Sequence, residues 1–320
     1  SRRQRQMCIR DRMQAVAIAT RLDYYYFQGI NEDSVIHYTN KVKEFAKATH
    51  QPKYYYFAWA NRLITYYLKT SRTNIALYEV QNMLKEAQEE DDKTGLSRCY
   101  NIMSQIYTIK RFDSMAFEWR LKEIELTEKY KIENYNISQT YAQIANYYIN
   151  QKKQKEALAA VEKAIATANS STQQISAKLE FVNYYSKFGD FQAAEKLLKE
   201  CQTAFEQDKR LESIKKRLYN IECLYYQQTK QYQKALEAAK MQEKEERRLS
   251  ESILSSIHYR TQGEIYQKMG NMNLAVKYLQ MYINADDSLK IANEQVSSSE
   301  FATLLNVEKL NAEKLSLIHI

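Results

Sequence analysis

Three hundred and twenty residues with 44% hydrophobic content can bury several ordinary cores, yet five glycines and one proline leave little material for hairpins or sheet punctuation. Aromatic content of 12% excludes a low-complexity or disordered chain. Half of the formal +8 charge falls in the first twelve residues, and the rest is spread thinly rather than clustered on one face as a nucleic-acid binder requires.

The two ends differ from the rest. Ser1–Arg12 (SRRQRQMCIRDR) and Leu315–Ile320 (LSLIHI) resemble translations of the transposon-end adapters used in sequencing libraries, one the reverse complement of the other. Both are set aside as non-native. The gene product is therefore expected to continue past both, and a signal peptide or membrane span missing from this stretch carries no weight. Cys8 leaves with the first end. The remaining Cys99, Cys201 and Cys223, odd in number and without CxxC spacing, fit buried small apolar positions.

From Met13 to Ala285 an aromatic residue is followed nine positions later by a small or aliphatic one, seven times. The pairs are Phe27/Ile36, Tyr67/Ala76, Tyr107/Ala116, Tyr148/Ala157, Tyr185/Ala194, Tyr226/Ala235 and Tyr266/Ala275, and the second members recur at 40, 40, 41, 37, 41 and 40 residues. Such a period marks a repeat architecture. Each unit reads as a helical hairpin, helix A then helix B, with apolar residues at helical spacing. The first runs from about Met13 to His50, turning at Gly29, Asn31 and Asp33, and Gln51-Pro52 opens the second. The charged run Lys85–Lys93 reads as the solvated end of a helix. Hairpins three to six follow the same pattern, and the seventh turns at Gly270-Asn271-Met272. After Ala285 the pairs stop, but Leu289, Ala292, Val296, Phe301, Leu304, Leu305, Val307 and Leu310 keep a helical apolar face to Lys314. That segment, 286–314, is expected to cap the last repeat and then lead out.

The units YRTQGEIYQKMGNMNLAVKYL and NYYSKFGDFQAAEKLL resemble tetratricopeptide repeats (TPRs), in which an aromatic and a small residue lock helix A onto helix B. The resemblance covers roughly Met13–Asp286. It departs from the family in lacking the early tryptophan, the closing proline and, in all but two units, the turn glycine. The period near 40 exceeds the usual 34 by about 9 Å of helix shared between two helices. The resemblance implies an all-α, right-handed superhelical TPR-like solenoid of about seven hairpins plus a long C-terminal helix. Its tyrosines are expected to be structural, one of each doublet in the core and the other at a repeat interface.

No catalytic constellation is present. His37, His50 and His258 have no ligand-spaced partners, and GxSxG, HExxH and phosphate-loop motifs are absent. No enzyme activity, cofactor or metal is expected. What remains is the exposed face of helix A, which in TPR arrays lines the concave groove. Two and six residues before the ladder aromatics lie Asn61, Thr65, Asn101, Gln105, Asn146, Asn183, Asn220, Arg260 and Glu264, and nine before lie Arg98, Gln139 and Arg217. Amides and guanidiniums there suit a peptide backbone or its carboxylates.

The expected function is non-catalytic recognition of a protein or peptide segment in that groove. The long period, the tyrosine richness and the exit sequence EFATLLNVEKLNAEKL together resemble the sensor portion of bacterial membrane-bound TPR regulators. That resemblance implies a periplasmic sensor of an inner-membrane protein, membrane contact only through a missing flank, and dimerisation through the C-terminal helix. The alternative is a soluble cytoplasmic TPR adaptor or peptide-responsive regulator.

Overall fold

The computed structural model describes residues 2–29, 31–249 and 256–318, with the side chains of 2–12, 247–249, 289, 293, 302 and 306–318 left aside. The adapter reading of both termini, and Leu289, Val307 and Leu310 of the terminal apolar face, fall outside the described side chains.

The described residues form helices and turns without a strand. The first three hairpins are α1 (Arg2–Gln28) with α2 (Glu32–Ala48), then α3 (Pro52–Ala58) with α4 (Thr65–Lys69) and α5 (Thr73–Glu89), then α6 (Lys93–Ile109) with α7 (Asp113–Tyr130). A π-helical turn, Trp59–Ile64, joins α3 to α4. Next come α8 (Ile137–Asn150) with α9 (Gln154–Ala166), α10 (Ser171–Phe188) with α11 (Phe191–Gln207), and α12 (Lys215–Gln228) with α13 (Tyr232–Leu249). A 3-10 turn, Lys209–Ile214, precedes α12. The last pair is α14 (Ile257–Lys268) with α15 (Met272–Ile318). Two compact units result: unit 1 is Ser1–Glu133 with Ala292–Ile320, and unit 2 is Asn134–Ile291.

The ladder is a packing device with a backbone cause. Ala76, Ala116, Ala157, Ala194 and Ala235 are wholly buried, as is nearly all of Ala275. In these six repeats the amide five residues beyond the ladder tyrosine donates to that tyrosine's own carbonyl: Arg72 to Tyr67 (2.8 Å), Phe112 to Tyr107 (2.9 Å), Lys153 to Tyr148 (2.9 Å), Asp190 to Tyr185 (2.9 Å), Gln231 to Tyr226 (2.8 Å) and Asn271 to Tyr266 (3.0 Å). This is the Schellman helix ending, which requires a left-handed residue one position earlier. Ser71, Arg111, Lys152, Gly189, Lys230 and Gly270 supply it, all at positive φ. A turn of fixed length fixes the nine-residue interval, and it does so with glycine in only two cases.

The first pair needs correction. Phe27 is 71% exposed, whereas Tyr26 (7%) and Val35 (0%) are buried. Tyr26/Val35 keeps the same nine-residue interval one position earlier. Adjacent helical residues point about 100° apart, so only one of Tyr26 and Phe27 can face α2.

The unit 1 core holds Tyr55, Tyr56, Trp59, Tyr66, Tyr67, Met83 and Ile106. A Cβ on Gly95 would come 2.7 Å from the Tyr56 ring, so glycine is what lets α6 approach α3. The charged run from Lys85 is only partly solvated. Glu86 accepts from the Tyr55 hydroxyl (2.6 Å) and from Lys47 (3.0 Å), and Glu90 accepts from Tyr56 (3.4 Å). In unit 2, Leu179, Val182, Leu198, Cys201, Ile221 and Tyr225 form one cluster, and Cys223, Leu236, Ile265 and Tyr266 belong to another. Cys99, Cys201 and Cys223 are free and buried, and burial pushes the thiol of Cys201 up to about 11 and that of Cys99 up to about 12. Among the doublets, Tyr66 and Tyr67 are both buried, while in Tyr184-Tyr185 and Tyr225-Tyr226 the first ring is buried and the ladder ring half-buried.

The helix α15 runs without a break through Asp286, where the ladder stops. Its residues to Ile291 belong to unit 2, and from Ala292 onward to unit 1. No described helix is long and apolar enough to cross a membrane.

Candidate functional site

In unit 2, helix α10 packs against both α8 and α12, so three helices A stand side by side. Their N-terminal halves, the 3-10 turn and Gln242 of α13 enclose a groove of about 460 Å3. That lies within the range of about 300–1,000 Å3 typical of ligand sites. Of the expected residues, Gln139, Arg217 and Asn220 meet there, together with Ser138, Thr172, Gln173, Ser176, Ser213 and Lys216.

The cations of the groove are held from behind. Arg217 donates from Nη2 to Glu180 (2.5 Å), whose carboxylate is 3% exposed and also accepts from Asn183 (3.4 Å). Lys216 donates to Glu246 (2.7 Å), and the buried His258 lies on the other oxygen of that carboxylate. Burial raises the Glu246 pKa, but hydrogen bonds from Lys216 and His258 outweigh it and leave the group below its ordinary value. The groove therefore presents mostly uncharged donors and acceptors. Among the described residues the side-chain amides of Gln139 and Asn220 have no hydrogen-bond partner within the protein.

The remaining expected residues are used differently. Asn183 is buried, not on the open face, because its amide supports Glu180. Asn146 accepts from Asn150 (2.9 Å). Arg260 pairs with Glu264 at 3.5 Å, one turn along the same helix. In unit 1, Asn61 accepts from Arg98 (2.8 Å), and burial holds the Arg98 guanidinium below its ordinary pKa. Thr65 donates to the carbonyl of Ala60 (2.9 Å). Asn101 bridges both oxygens of buried Glu123 (3.2 and 3.1 Å), and Gln105 donates to Asn101 (2.6 Å). Those residues form internal bonds.

Sequence reasoning missed Glu180 and Glu123. Glu180 is a lone carboxylate between Leu179 and Phe181, and that oddity was the available signal, whereas Glu123 lies in the charged stretch LKEIELTEK and carries none. Ser176 also escaped, although it stands nine residues before Tyr185, where Gln139 and Arg217 stand before their own tyrosines. Among the described residues no group of three or more His, Cys, Asp and Glu side chains could hold a metal ion.

No family model and no curated protein matches the chain. Among solved structures it is similar to NprR in complex with its cognate peptide NprX, with a TM-score of 0.59, 14% identity, and coverage of 90% of this chain and 82% of that one. It is similar to a Rap protein complexed with competence and sporulation factor (TM-score 0.53, 15% identity, 93% and 99%). It is also similar to a tetratricopeptide repeat protein from Parabacteroides merdae (0.51, 13%, 89% and 99%). The fold is an all-α TPR-like solenoid.

The expectation of a periplasmic portion of an inner-membrane protein is corrected. It rested in part on an exit helix, but residues from Ala292 belong to unit 1 and turn Glu300 inward against it. No described helix can cross a membrane, and the neighbours include peptide- and factor-bound NprR and Rap. Dimerisation through that helix gains no support.

Proposed function

We propose that this chain is a peptide-responsive TPR regulator, the alternative of the two sequence readings, and that an extended peptide lies along the unit 2 groove. The observation that carries the proposal is the lining: Ser138, Gln173 and Ser213 bond internally, but among the described residues the amides of Gln139 and Asn220 and the hydroxyls of Thr172 and Ser176 have no partner, while Arg217 and Lys216 are already neutralised by Glu180 and Glu246. A surface of that kind matches the alternating donors and acceptors of a peptide backbone better than a phosphate chain, which needs uncompensated cations. The peptide NprX on NprR, at 14% identity to this chain, supports the same reading.

The test uses a pool of random linear heptapeptides captured on the intact chain. Replacing Asn220→Ala together with Gln139→Ala removes two unpaired amides without breaking an internal bond. Capture is expected to fall about tenfold or more, with the thermal midpoint unchanged. Equal capture by the double variant moves the ligand off this groove.

A further inference from the structure

The N-terminus of α5 lacks a cap of its own. Arg72 at the capping position makes no side-chain hydrogen bond there, whereas α2, α6, α10 and α11 are capped by Asn31, Asp92, Ser170 and Asp190. The acceptor arrives from the other end of the sequence. Glu300 is 3% exposed, and its Oε1 accepts from the backbone amides of Asn74 (3.1 Å) and Ile75 (3.3 Å). Its Oε2 accepts from the Asn74 side-chain amide (2.8 Å), which also donates to Ser297 Oγ (3.1 Å). Lys110, the residue just past α6, in turn donates to the Asn74 side-chain oxygen Oδ1 (2.8 Å), fixing the amide's orientation.

We infer that residues 292–305 of α15 act as a releasable latch on unit 1, seated by Glu300 on the N-terminus of α5. Three features argue for a latch over an ordinary piece of core. First, Glu300 is the one buried side chain among those described from Asp286 to Leu305. Second, Leu304, four residues on, is the only hydrophobic residue of the segment packed on the unit 1 core among the described side chains, and only partly buried, while Phe301 (58%) and Leu305 (66%) face away. Third, an anionic cap on a helix N-terminus is directional, since the aligned amides favour negative charge only over the first turn. Among the described side chains the contact is strong in register and small in apolar area. Such a contact can open without unfolding the hairpins beneath it. Once open, it leaves the Asn74 and Ile75 amides and the Leu304 seat for another acidic amphipathic helix.

Hydrogen exchange on the intact chain tests the latch in both places it touches. Glu300→Gln keeps the shape and removes the charge. Exchange is expected to rise about tenfold or more at the amides of residues 73–76 and across 292–305 together, with α6 and α7 unchanged. Asn74→Ala leaves α15 untouched and is expected to free the same two segments, so the result does not depend on one variant folding. A labelled peptide of residues 292–308 should be captured by Glu300→Gln and refused by the parent chain. Faster exchange confined to 73–76 would make Glu300 a static cap and overturn the latch. Unchanged exchange in both segments, or equal peptide capture by the two chains, overturns it as well.

Discussion

The two units put the same ladder positions to opposite uses. In unit 1 the polar residues before the tyrosines are spent internally: Arg98 on Asn61, Gln105 on Asn101, and Asn101 on Glu123. In unit 2 the corresponding positions divide. Asn183 and Arg217 hold a buried carboxylate, and that leaves Gln139 and Asn220 open to the groove. A polar face on a helical repeat is thus not a binding face by default. On the proposed reading it becomes one where neighbouring charges are already satisfied and the amides are not.

The comparison is broken most forcefully at Arg217. Removing it leaves Glu180 almost fully buried with only the 3.4 Å bond from Asn183 among its named partners. Arg217→Ala should destabilise the chain by about 2 kcal/mol, below the full cost of breaking a buried pair because a quarter of the arginine is exposed. Urea unfolding measures it, and adding Glu180→Gln should recover most of the loss. A neutral outcome for Arg217→Ala would mean that Glu180 is satisfied elsewhere.

The unit 1 counterpart should cost less. Asn101→Ala deprives Glu123 of the amide that bridges both its oxygens, at about 1 kcal/mol. Peptide capture should be untouched by it, in contrast to Asn220→Ala with Gln139→Ala. If Asn101→Ala weakens capture at unchanged stability, the division of labour between the units is wrong.

Much of this architecture is legible in the sequence because the ladder is long-range and regular. Seven recurrences at nearly constant spacing outweigh the missing tryptophans and prolines, since stacked hairpins need only the aromatic and the small partner to close-pack. What escapes is decided by fine angle and by partner. Tyr26 and Phe27 differ by one residue and are chemically similar, so spacing alone does not separate them. The roles of Asn101 and Asn183 depend on Glu123 and Glu180, carboxylates placed by a neighbouring element or turn of helix. Glu300 and Asn74 lie 226 residues apart, beyond the reach of any local pattern.

The left-handed turn residues give the finest prediction, because they explain a feature the sequence alone leaves odd. Glycine ends helix A at Gly189 and Gly270, but Lys152 and Lys230 adopt the same left-handed conformation at φ 57° and 60°. A residue with a Cβ is strained there, and glycine is not. Lys152→Gly should stabilise the chain by about 0.5–1 kcal/mol, the relief of strain being partly offset by the greater freedom of glycine in the unfolded chain. Glycine in place of exposed Ala159, in the middle of α9, should destabilise it by about 0.5–1 kcal/mol. The pair of signs is the measurement: thermal midpoints moving in opposite directions support the Schellman ending as the cause of the nine-residue interval. A loss of stability at Lys152 would mean that its side chain contributes more than its backbone costs.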